Sequence, residues 1–152
     1  MRHGVEVDLR LPALLPEDYV ADVHTRLILY KRMASLTTER ELDEMRVELI
    51  DRFGLLLPPA AQNLLRQALL RIRAQKLGIR KLEAGPNGGR ILFDPQPPID
   101  PMTIVHLMQR EPKTYQLGGQ DALKFTAPLE DAERRFAFIE RLLETLEGRT
   151  KA

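Results

Sequence analysis

Four carboxylates in the stretch "ELDEMRVELIDRFG" have the residue type and spacing that most invite a chemical reading. Glu41, Glu44, Glu48 and Asp51 stand at i, i+3, i+7 and i+10, a repeat that gathers side chains along one side of an α-helix. Leu42, Met45, Leu49, Ile50 and Phe53 gather on another side, centred more than about 100° away. Paired carboxylates can perform general acid–base work, but that needs a cleft and environments that separate their pKa values. A row along one exposed face gives its members similar surroundings instead. Two readings stay open: a solvated helix side, or a docking stripe on which charge complementarity sets register and partner choice.

Other chemistries find little support. The single serine, Ser35, lies beside Thr37 and Thr38 at a helix end, without a Gly-x-Ser-x-Gly elbow. His3, His24 and His106 are too scattered to form a metal-ligand spacing, and there are no cysteines. Neither GxxxxGK[ST] nor GxGxxG occurs, and Gly85 to Gly89 precedes a strand rather than a helix N-terminus. "GGQ", Gly118 to Gln120, matches the tripeptide of peptide-release factors but sits where a strand pair must turn. We therefore expect no catalytic residue, no metal and no cofactor. A basic set, Arg66, Arg71, Arg73, Lys76, Arg80 and Lys81, supplies the alternative of a nucleic-acid contact by the helix around residues 66–81. Against it, the set spreads around its helix, and stacking platforms are scarce at 5% aromatic residues and no tryptophan.

These residues need elements to hold them. "VEVDLRL", Val5 to Leu11, alternates as a half-buried strand, which Pro12 and Pro16 stop. Asp22 caps a helix over "VHTRLILYKRMASL" with Leu27, Tyr30 and Ala34 facing inward. Thr38 and Glu41 form a capping box at the start of the carboxylate helix, and Gly54 stops it. Pro58 and Pro59 open a third helix with Leu64, Leu65, Ala68, Leu69 and Ile72 as its buried stripe, ended by Gly78. Two strands joined through Pro86 to Gly89 follow, then a short helix opened by Asp100 and Pro101. A second strand pair turns at Gly118-Gly119, and an amphipathic helix on Phe136, Ile139, Leu142, Leu143 and Leu146 closes the chain. Helices first and hairpins after predict an α+β fold rather than an alternating parallel sheet. With 152 residues and a net charge of +1, the chain reads as one domain over 5–147, with 1–4 a start or linker and 148–152 a tail. The near-immediate strand leads us to expect a fragment of something longer. Nothing resembles a signal peptide or a membrane span, so a cytoplasmic location is expected.

Three segments in order, "LPEDYVADVHTRLILYKRMAS", "ELDEMRVELIDRFG" and "LLRIRAQKLGIRKLE", resemble the C-terminal domain of bacterial transcription-repair coupling factors. The later "GGRILFD", "YQLGG" and "LKF" extend the resemblance from about Val5 to about Leu146. It implies a parent that is a multidomain, ATP-driven DNA translocase, which acts on stalled RNA polymerase and recruits excision repair. This domain would lie beyond the motor and carry no catalysis of its own. It would pack within the same chain on an N-terminal excinuclease-like module, masking the surface for the A component of the excinuclease until RNA polymerase is engaged. The acidic residues of ELIDRFG, here Glu48 and Asp51, would face arginines of that module, and helical spacing adds Glu44 and Glu41 to the same stripe.

Overall fold

In the computed structural model, the structure describes residues 4–148; His3 and most of the expected start and tail lie outside them. The chain divides into two compact units, Leu11–Ile72 and a second made of Met1–Arg10 with Arg73–Ala152. The architecture is α+β as expected, with five helices and five strands among the described residues.

The first unit is helical. Helix α1 (Val23–Ala34) starts on the Asp22 carboxylate, which accepts from the Thr25 amide at 2.9 Å. Helix α2 (Glu39–Phe53) begins at the expected capping box of Thr38 and Glu41. Helix α3 spans Pro59–Lys76. Leu49 and Leu65 are fully enclosed in a core with Leu29, Met33, Leu42 and Met45. The Tyr19 hydroxyl lies 3.0 Å from both the Leu49 and Gly54 carbonyls at the end of α2, and its ring packs on Phe53.

One face differs from expectation. Leu27 is 61% exposed and Ala34 is also exposed, while Leu29 and Met33 point inward. The segment "RLILYKRMA" carries two apolar ladders with legitimate helical spacing. The one ending at Met33 is fixed in place by the Arg71 guanidinium, which donates to the Met33 and Leu36 carbonyls at 3.1 and 2.8 Å.

The second unit is a five-stranded sheet in the order β1-β2-β3-β5-β4. Strand β1 (Glu6–Asp8) pairs parallel with β2 (Ile79–Gly85), which turns through Pro86-Asn87 into antiparallel β3 (Gly88–Phe93). Gly88 and Gly89 open β3 rather than sit in the turn as expected. After α4 (Pro101–Arg110), β4 (Tyr115–Leu117) and β5 (Ala122–Thr126) complete the sheet, and α5 (Ala132–Leu146) closes the chain. All five apolar residues expected inside α5 are buried.

The predicted strand Val5 to Leu11 is cut to three residues because the chain leaves the ladder at Arg10. There φ is 54° and the amide donates to the Asp8 carboxylate. Buried Arg135 holds this exit, donating to the Leu9 and Leu129 carbonyls at 2.7 and 2.9 Å and, at 3.4 Å each, to those of Arg10 and Glu130. Its charge is balanced by carbonyl dipoles, which satisfies a group that would be costly to bury bare.

Candidate docking face on the second helix

The four carboxylates share a side of α2, but their chemical states differ. Glu41 is consumed locally: one carboxylate oxygen accepts from the Thr37 and Thr38 amides at 3.1 and 3.0 Å and from both threonine hydroxyls. Those hydrogen bonds, led by the Thr37 amide, hold its pKa below the usual carboxylate range. Glu44 makes a loose i, i+4 pair with Arg40 at 3.6 Å, both side chains being highly exposed.

Glu48 is the most committed. Arg32, reaching across from α1, forks onto both carboxylate oxygens at 2.7 Å, and Arg52 donates to one of them at 2.9 Å. Arg52 is itself steadied by the Phe53 ring, 4.9 Å from its guanidinium carbon. Hydrogen bonds from Arg32 and then Arg52 hold the Glu48 carboxyl down to about 2. Asp51, one turn further on, is exposed and pairs with no cation among the described residues. A groove of about 250 Å³ runs between the helices, lined by Arg32, Leu36, Glu41, Glu44, Met45 and Glu48. The stripe is thus a lattice of both signs, with its open negative charge concentrated at Asp51 and Glu44.

This arrangement has a pH signature. Because the folded pKa of Glu48 lies below its unfolded value of 4.5, the folded state binds fewer protons. The stabilisation is therefore complete above about 4.5 and lost as pH falls toward about 2. The side chain is 31% exposed, so solvent screening cuts the contribution to about 1 kcal/mol. Urea unfolding at pH 6 and pH 3 should show the native chain losing about 0.6 kcal/mol more than its Glu48→Gln variant on acidification, since pH 3 still lies above the folded value of about 2. Equal losses would show that the arginine pair contributes nothing to folding.

The basic residues behave otherwise than an open cationic stripe. Arg71 is turned inward, as described, and burial lowers its pKa. Arg73 is half-buried; burial pulls its pKa down, but the Glu147 carboxylate, at 2.9 and 3.1 Å, together with the nearby Glu144 and Glu140 charges leaves it raised. Arg66 is half-buried, and only Lys76 of the four candidates is exposed. Large apolar side chains stand bare on the helical unit: Leu14, Val23, Leu27, Ile28, Val47, and above all Leu55 and Leu56 at 79% and 87% exposure. Sequence reasoning missed Arg32 and Arg52. Arg52 was readable as the i+4 neighbour of Glu48, whereas Arg32 lies on another helix and left no local trace.

A family model described as "TRCF domain" matches residues 9–104. The transcription-repair-coupling factor of Escherichia coli K12 is 49% identical over 142 residues, covering 93% of this chain and 12% of that protein. That of Haemophilus influenzae is 43% identical over 141 residues, again covering 93% and 12%. This chain therefore spans about an eighth of the length of these relatives. Among solved structures, one titled as the C-terminal domain of a transcription-repair coupling factor superposes with a TM-score of 0.73 at 21% identity, covering 97% of both chains. The chain belongs to the TRCF-domain family, and its fold is the one seen in the C-terminal domain of a transcription-repair coupling factor.

Proposed function

We propose that this chain is a non-catalytic regulatory domain of a transcription-repair coupling factor, and that the Glu41–Asp51 side of α2 docks on the N-terminal excinuclease-like module of the same parent. Docking there masks the surface that receives the A component of the excinuclease, and engagement of RNA polymerase by the parent relieves it. The parent supplies the ATP-driven translocation on DNA, in the bacterial cytoplasm. The observation that carries the reading is Asp51: an exposed carboxylate without a partner among the described residues, one turn beyond the arginine-held Glu48. An arginine-bearing surface complements it, and the bare Leu55 and Leu56 just past the helix offer apolar area to the same partner.

A latch made of charge fits a regulated contact. Exposed ion pairs contribute roughly 0–1 kcal/mol each, so several hold one state while yielding to a competitor of modest differential affinity. The test supplies the 152-residue chain in trans to a parent lacking it and follows binding across a salt titration. Affinity should fall by about tenfold or more between low and high salt. Binding that is absent at low salt, or insensitive to salt, would refute the electrostatic latch.

A further inference from the structure

Glu48 poses a difficulty for any simple latch, because its carboxylate is already occupied. An ionised carboxylate offers about four lone-pair positions. Arg32 fills two of them with its fork, one on each oxygen at 2.7 Å, and Arg52 fills a third at 2.9 Å. A single position is left, on the oxygen that Arg52 does not touch, and the two guanidinium charges already exceed the single charge of the carboxylate, so a basic partner meets a locally cationic group. We propose that Arg52 is a built-in competitor for Glu48: it must swing off before a basic partner can grip this carboxylate, so it sets the strength of the latch from within the domain.

The inference rests on the docking role proposed above and adds to it a regulating residue. Geometry singles out Arg52 rather than Arg32 as the group that yields. Arg32 is anchored through two parallel hydrogen bonds, whereas Arg52 makes only one to the carboxylate. Arg52 also has a second hold, since its guanidinium lies against the Phe53 ring, about which it can pivot as the hydrogen bond to the carboxylate is released. Half-exposed, it gives up little burial by moving. Arg32, left behind, keeps the carboxylate aimed, and the vacated position on one oxygen joins the free one on the other, each open to a single donor from the partner. The internal clamp thus weakens the latch in exchange for reversibility, and deleting a positive charge next to a carboxylate need not weaken its docking.

The consequence runs against a simple contact count, in which losing a charged residue beside the docking face weakens docking. Arg52→Met places an unbranched apolar side chain beside Phe53 and removes the competing charge. Titrated into the parent lacking this domain, the variant chain should bind about fivefold more tightly than the native chain at low salt, with the gain shrinking at high salt. Arg52→Lys, which retains the cation, should stay within about twofold of native. Far-UV circular dichroism on each chain checks the fold; if Arg52→Met loses helix, Arg52→Gln replaces it in the same titration. Native binding that Arg52→Met leaves unchanged or weakens overturns this inference and leaves the docking proposal standing. Absence of binding by the native chain overturns both.

Discussion

Asp51→Lys should weaken binding of the chain to a parent lacking it by about thirtyfold at low salt, while shifting the melting temperature by no more than about 1 °C. The asymmetry comes from what the side chain touches. Asp51 is exposed and pairs with no cation among the described residues, so reversing its charge removes nothing that folding uses. At a basic partner surface the same change turns attraction into repulsion, an effect of about 2 kcal/mol for close interfacial charges, which is roughly thirtyfold in affinity. Glu48→Lys is the less clean companion. It would place a third cation between Arg32 and Arg52, and its folding cost would mix with any loss of docking. Unchanged affinity for Asp51→Lys at low salt would remove this side of α2 from the interface.

Gly89→Ala should cost about 3 kcal/mol of stability and lower the melting temperature by about 10 °C, without altering a single charge. A β-carbon at this position would overlap the Glu83 carbonyl oxygen and stand 2.7 Å from the Ala84 α-carbon and 2.8 Å from the Phe125 ring. Two of these neighbours are backbone of β2, hydrogen-bonded through register pairs on both sides of β3, so relief requires the sheet to open locally. Neighbouring Gly88 has φ of 138° as well as a crowded β-carbon position, so the pair can be filled by no other residue without strain. Thermal unfolding followed by circular dichroism decides the matter; a shift below about 2 °C would mean the sheet absorbs the methyl group.

Legibility in the sequence tracked how local the deciding physics was. The capping box at Thr38 and Glu41, the Asp100-Pro101 helix start and the buried face of α5 were all readable, since each depends on residues within a few positions. The inward face of α1 was legible at Tyr30, which packs on the core, but not at Leu27 and Ala34, because their ladder and that of Leu29-Met33 are equally good helical spacings. Long-range partners such as Arg71 distinguish them. The shortening of β1 likewise depended on Arg135, far along the chain. At the docking face, the position of the four carboxylates followed from spacing, but their state followed only in part. The capping-box spacing marks Glu41 as serving its own helix end, but no local spacing reports that Arg32 arrives from the side to hold Glu48. A row of acids read as uniform negative charge is in fact one open carboxylate, one loosely paired, one capping group and one clamped group.

The placement of β1 beside β2 has a consequence for how the molecule is made. Its sheet unit is begun by the residues up to Arg10 and resumed only at Arg73, with the helical unit inserted between. During synthesis the three helices can assemble first, while the opening strand has nothing to pair with. The guanidinium that seals its exit follows 125 residues after Arg10, a delay of about 6–25 s at ordinary elongation speeds. A ribosome halted between these points would carry a finished helical bundle whose leading strand is still waiting for its neighbour.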